Sequence, residues 1–259
     1  MILLNTEQML GWVTAFFWPF VRISSMMMAA PVFGAQLMPV RVRIFLAFAV
    51  SMVAVPMLPA FPAVDPISYS GIMILLQQVL IGVAMGFVLH MIFQALVIAG
   101  EAIANGMGLG FARMVDPANG VQVPVISQFL IIMATLLFVI LNGHLLLLQL
   151  VVESFRILPV AEYGLSAADA RTIANWGSQM FAGAVLIAIP AVTALLVVNI
   201  SMGVITRAAP QLNIFAVGFP LMILLGFFFL AATTPSMLNR FTHMMMDSFE
   251  LIRSILATG

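Results

Sequence analysis

The 259-residue chain is predicted to be all-α, a set of membrane-associated helical hairpins whose helices are broken. Three observations carry that expectation. Hydrophobic residues make up 64% of the sequence and charged residues 7%, with a mean hydropathy of +1.20, whereas a soluble domain is about 25% charged. The apolar runs approach or exceed the roughly 20 residues that a helix needs to cross a bilayer. Prolines fall inside several of these runs, at Pro19, Pro31, Pro190 and Pro220, and each removes a backbone donor from a helix.

Taken in order, the first run covers about 9–38, and Pro19 and Pro31 argue against one straight helix. Arg22 lies within it, where a guanidinium is expensive and has to face a partner. Carbonyls of a neighbouring helix are the expected acceptors. Pro39, Arg41 and Arg43 mark a boundary before a short run at 44–58, which Pro56, Pro59 and Pro62 end. The third run, 71–99, contains Gly82 and Gly86, a small-xxx-small spacing that permits close helix packing. Its His90 is expected to be hydrogen-bonded inside a bundle. A strong apolar helix is expected over 125–152, with Asn142, Gly143 and His144 in its middle.

Residues 153–176 are the most polar of the chain and are expected to form a solvated connector. Glu153 and Arg156, three apart, can pair across one helical turn. Ser166 and Asp169 have the spacing of a helix start, with Ser166 as N-cap and Asp169 in the capping-box place. Two further apolar segments, 177–206 and 212–232, are joined by a short connector and should form an antiparallel hairpin. Gly218-Phe219-Pro220 is expected to break the second of them. The tail, 237–256, has helical periodicity and the character of a separate amphipathic helix.

About six spans follow from this division. Arginines then fall on both sides of the membrane, so the positive-inside rule assigns no orientation.

The stretch 100–120, GEAIANGMGLGFARMVDPANG, stands apart from these runs. Gly106, Gly108 and Gly110 alternate with Met107, Leu109 and Phe111, and Arg113, Met114 and Asp116 follow. A permissive backbone carrying adaptable apolar side chains suits a seal or plug better than a catalytic site. Taken alone, the stretch favours the plainer reading, a re-entrant or interfacial loop between two helices, over a plug. Asp116-Pro117 and Asn119-Gly120 close it with turn signals.

Composition removes several function classes. Net charge is +0 and the chain has no lysine, so no basic patch exists for nucleic acid. The absence of cysteine excludes thiol catalysis and disulfides. Glu7 and the lack of a positive charge in MILLNTEQML do not fit a signal-peptide start. The three histidines are isolated, and no HExxH, GxSxG or P-loop pattern occurs. Carboxylates are expected to be missing from the long spans, with Glu101 and Asp116 only flanking the glycine stretch. No enzyme, metal site or cofactor is expected.

The chain resembles the FliR family of flagellar protein-export gate components, the T-component family of type III secretion. The resemblance rests on GEAIANGMGLGFARMVDPANG at 100–120, FVILNGHLLLLQLVVESFRILP at 138–159 and NISMGVITRAAPQLNIFAVGFPLMILLG at 199–226. The 12–34 stretch, WVTAFFWPFVRISSMMMAAPVFG, agrees with it.

The resemblance implies a helical export-gate assembly with FliP and FliQ, onto which FlhB docks. It lies at the bacterial inner membrane, in contact with lipid and within the flagellar basal body. It further implies a FliP-like part at 1–160, whose pore loop is 106–120, and a FliQ-like hairpin and tail at 161–259. Unfolded flagellar subunits would be the cargo. The loop residues Gly106, Met107, Gly108, Leu109, Gly110, Phe111, Arg113, Met114 and Asp116 would form the pore plug. Arg207, Pro210, Gln211, Gly218 and Pro220 would serve assembly.

Overall fold

In the computed structural model, residues 6–34, 38–59, 61–62, 64–110, 124–209 and 214–258 are described, and they form helices and connectors with no strand among them. The helices are α1 (Thr6–Ala29), α2 (Val40–Ala54, extended by a 3-10 turn at Val55–Met57), α3 (Tyr69–Gly106), α4 (Val125–Ile140), α5 (Gly143–Ile157), α6 (Ala167–Ala208) and α7 (Ile214–Thr258). Segments Val40–Met57, Tyr69–Gly106, Ala167–Ala208 and Val217–Thr258 are long and apolar enough to cross a membrane. The bent pair α4–α5 makes a fifth if it is one span. Among the described residues, four or five segments therefore qualify as spans, against the six expected.

The expected run that is not among these segments is the first, now α1, and the breaks in the others also fall elsewhere than expected. Pro19 sits inside α1 without ending it, and the helix stops at Ala29, just short of Pro31. Pro220 and Pro235 lie inside α7, which runs unbroken through Gly218-Phe219-Pro220 and takes in the expected amphipathic tail. A proline costs one backbone hydrogen bond and some crowding, which a long packed helix absorbs. The opposite error occurs at 125–152, where no proline stands. There α4 and α5 meet at 63°. Asn142 adopts φ 56°, a left-handed conformation that asparagine tolerates better than most residues. Gly143 follows with its α-carbon against the Phe138 ring, where a Cβ would collide.

The chain divides into two compact units. The first comprises Met1–Met91, Phe138–Gly177 and Met245–Gly259. Its centre is Arg22 on α1, which is fully buried. The guanidinium Nε donates to Gln78 Oε1 of α3 at 2.8 Å, and Nη1 donates to Ser154 Oγ of α5 and to the Leu158 carbonyl, each at 3.0 Å. The Phe155 ring lies 4.1 Å from its Cζ. A carbonyl acceptor was expected from the sequence; the side-chain amide, hydroxyl and ring were not.

Beside this arginine α3 crosses α1 at Gly82 and Gly86. A Cβ on Gly82 would stand 2.9 Å from Met26 N and closer still to Ser25 Oγ and the Arg22 carbonyl. On Gly86 it would meet Ala30 N and Met26 O at 2.7 Å. The small-xxx-small spacing thus marks a real backbone crossing.

The same unit contains the start of α6 and the end of α7. Ser166 caps α6 reciprocally with Asp169. Ser166 N and Oγ donate to Asp169 Oδ2 at 2.9 and 2.6 Å, and Asp169 N donates back to Ser166 Oγ at 3.2 Å. Thr258 Oγ1 donates to Asp169 Oδ1 at 2.8 Å, tying the end of α7 to that cap. The expected solvated connector is therefore shorter than 153–176, because α5 continues to Ile157 and α6 begins at Ala167.

The second unit comprises Ile92–Leu137 and Ser178–Met244. Within it the remaining lengths of α6 and α7 run antiparallel, as the short connector requires, with Gly183 against Met244. The α4 helix leans on α3 where Gly100 meets Ser127: a Cβ would come within 2.5 Å of the Ser127 α-carbon, and Ser127 Oγ donates to the Val97 carbonyl at 2.8 Å.

The helix crossing yields a paired prediction. Gly82→Ala pushes a methyl into the α1 backbone and should lower stability by about 1–3 kcal/mol. Gly177→Ala, in a helix with nothing within 4 Å of the new methyl, should raise it by about 0.5–1 kcal/mol. Thermal unfolding of both variants in one detergent checks the opposite signs.

Candidate functional site

The glycine stretch begins where α3 ends, inside the second unit. Gly106 is the last helical residue, and the chain then turns back on itself. Met107 N donates to the Ile103 carbonyl at 2.9 Å, Gly108 N to Asn105 O at 3.0 Å, and Leu109 N to Ala104 O at 3.0 Å. Gly108 has φ +80°, the left-handed geometry that glycine adopts without strain and that commonly closes a helix. The motif works first as a helix terminator.

Two helices hold this turn. From α6, Asn199 Nδ2 donates to the Gly106 carbonyl at 3.3 Å, and the Leu195 side chain lies 3.3 Å from where a Gly106 Cβ would be. From α7, the Phe219 ring comes within 3.7 Å of the corresponding point on Gly108. Met107 is fully buried and fills the notch at Gly226, where a Cβ would approach its Cγ and Cε to 2.5 and 2.6 Å. A flexible thioether against a glycine is an adaptable filling for such a notch. Leu109 and Gly110 are half-buried.

The part of α7 that carries two of the expected assembly residues therefore lies against this turn. The root of the glycine stretch touches Phe219, which stands between the expected assembly residues Gly218 and Pro220. Gly218 is buried and Pro220 exposed. Arg207, expected to need an acceptor in an apolar setting, is exposed near the end of α6 and has no partner among the described residues. Phe111, Arg113, Met114, Asp116, Pro210 and Gln211 lie outside the described residues.

Sequence reasoning missed Asn199, Leu195 and Gly226. Asn199 gave a faint signal, a polar amide in an otherwise apolar helix. Gly226 gave none, since a lone helical glycine matters only for what packs on it. Glu101 also needs correction. It lies within α3, inside a segment long and apolar enough to be a span, and it is engaged by other groups. The longer helix, not a change of chemistry, brings that carboxylate in. Among the described residues no cluster of three or more metal-ligating side chains occurs.

The packing at Gly226 makes a separable prediction. Gly226→Ala should destabilise the second unit by about 1–3 kcal/mol by overpacking Met107. Adding Met107→Ala frees that space, so the double variant should be less destabilised than the sum of the two single variants. A double-mutant cycle on thermal unfolding measures the coupling.

Comparison with known proteins bears on the whole chain. A family model described as bacterial export proteins, family 1, matches residues 13–248. The chain is 35% identical over 257 residues to the flagellar biosynthetic protein FliR of Escherichia coli strain K12, covering 99% of this chain and 98% of that protein. It is 37% identical, with the same coverage, to FliR of Pectobacterium carotovorum subsp. carotovorum. FliR of Bacillus subtilis strain 168 is 31% identical over 94% of this chain and 95% of its own length. The match takes in the turn at Gly108, the α6–α7 pair that holds it and the helix crossing at Arg22, so the chain belongs to the bacterial export proteins, family 1.

Proposed function

We propose that this chain is a core component of the flagellar type III protein export gate. With FliP and FliQ it forms the channel through which unfolded flagellar subunits are secreted, with FlhB docked on the assembly, at the inner membrane within the basal body. The observation that carries this reading is the family match across 13–248, together with relatives named flagellar biosynthetic protein FliR that align over nearly their full length. In this division, residues 1–160 are the FliP-like part and 161–259 the FliQ-like hairpin and tail. The protein is a conduit and not an enzyme. Its apolar helices with large exposed side chains, such as Phe45 at 73% exposed, support a role in which lipid and partner helices cover them.

The glycine stretch is the proposed plug. Its root, from Gly106 to Gly108, is held by α6 and α7, with Met107 of the expected plug set buried against Gly226, and the apolar side chains that follow, Leu109, Phe111 and Met114, close the resting pore by excluding water. Gly110 permits the following residues to swing aside, and Arg113 and Asp116 tether the closed form. Arg207, Pro210, Gln211, Gly218 and Pro220 serve assembly, which fits an exposed Arg207 that has no partner among the described residues.

Purification of the tagged full chain from its native host, with identification of the bound proteins, tests the gate itself. FliP and FliQ should co-purify, and a stable chain recovered alone in its native fold would overturn the reading. For the plug, shortening 106–120 should leave the assembly intact and raise ion conductance of the reconstituted complex. An intact complex that stays tight to ions would remove the plug.

A further inference from the structure

Between α2 and α5, both packed on α1 in the first unit, runs a groove of about 830 Å³. That volume falls in the range of about 300–1,000 Å³ typical of small-molecule sites. Its walls are mostly apolar, with Val50 and Val53 from α2 and Leu148 and Val152 from α5, interrupted by Gln149. At one end the lining turns polar, at Glu153 and Arg156.

Both helices end there. The apolar segment containing α2 stops at Met57 and α5 stops at Ile157. Glu153 and Arg156 thus stand together at one end of a largely apolar groove, an arrangement that suits an amphipathic ligand with a charged head and an apolar tail.

The two charges have not neutralised each other. Three apart on α5, Glu153 and Arg156 were expected to pair, yet Glu153 has no hydrogen-bond or ion-pair partner among the described residues. Arg156 instead donates from Nη2 to the Met57 carbonyl at 3.1 Å, across to the end of α2. A guanidinium carries five N–H donors, so this bond leaves most of its donors available. Arg156 is exposed and Glu153 half-buried. The groove therefore presents an accessible cation and an accessible anion side by side, above an apolar trough. An anionic headgroup would satisfy Arg156 and be repelled by Glu153. A headgroup with phosphate and ammonium a few bonds apart satisfies both.

We propose that this groove binds a zwitterionic phospholipid of the phosphatidylethanolamine type, its phosphate on Arg156, its ammonium on Glu153 and an acyl chain along the α2–α5 trough. The site goes beyond the gate reading and does not depend on it.

Native mass spectrometry of the full chain, in its assembled state and extracted from membranes containing phosphatidylethanolamine and phosphatidylglycerol, tests the proposal. The unmodified chain should retain phosphatidylethanolamine selectively. Glu153→Gln and Arg156→Gln should each reduce that retention roughly tenfold, and Arg171→Gln, on an exposed position outside the groove, should leave it unchanged. Because both groove positions are accessible, the variants should melt as the parent does in lipid-free detergent, which separates lost binding from lost fold. Three results would overturn the site: equal retention of the two lipids, retention indifferent to both substitutions, or a groove occupied by a partner protein's helix with no lipid held.

Discussion

The first unit depends on how one guanidinium is housed. Arg22 is fully buried, and no carboxylate pairs with it among the described residues. Burying a charge is costly unless its donors find acceptors; Nε and Nη1 do, while Nη2 has no hydrogen-bond partner among the described residues. Here the acceptors come from three places far apart in sequence: the Gln78 amide, the Ser154 hydroxyl and the Leu158 carbonyl, with the Phe155 ring 4.1 Å from the guanidinium carbon. Each acceptor is usable only if α1, α3 and the end of α5 are in register. The arginine thus turns a set of interchangeable apolar surfaces into one specific arrangement. Gly82 supports the same register from the other side, since the Arg22 carbonyl lies where its side chain would be. The neutral acceptors also explain how a buried cation coexists with a chain of so little charge.

In the second unit the constraint is steric. Gly100, Gly106, Gly108 and Gly226 each stand where another helix's side chain or backbone comes close, and at Gly108 the backbone itself needs a positive φ. The result is a helix end whose direction is fixed by the Asn199 amide and the Met107 side chain rather than by charge. A turn held in this way gives the segment after it a defined point of departure. That is the physical basis on which the glycine stretch can be considered a moving part with a stationary root.

The sequence by itself determined that the protein is helical and apolar on the scale of a membrane. A long continuous run with almost no charge can satisfy its own backbone in lipid within the segment only as a helix. It also determined the local devices whose partners lie within a few residues. The Ser166–Asp169 cap, the antiparallel pairing of α6 and α7 and the tight spacing of Gly82 and Gly86 were all legible, because capping, loop length and side-chain size act over short range. The candidate site was legible as a motif but not as an environment: the alternating glycines stood out, while Asn199 and Gly226, some hundred residues away, did not.

Tertiary structure decided which breakers break. Pro19 and Pro220 stay inside helices, while the break falls at Asn142, where a positive φ and the Phe138 ring against Gly143 set the bend. A proline's local cost is small enough for packing to override, and an asparagine's left-handed turn is favourable only when its neighbours fit. Packing also decided what holds each polar group. Arg22 found three acceptors on distant segments, and Arg156 took the Met57 carbonyl in preference to Glu153 three residues away. Spacing along a helix determines which groups can meet; only the packed neighbours determine which of them do.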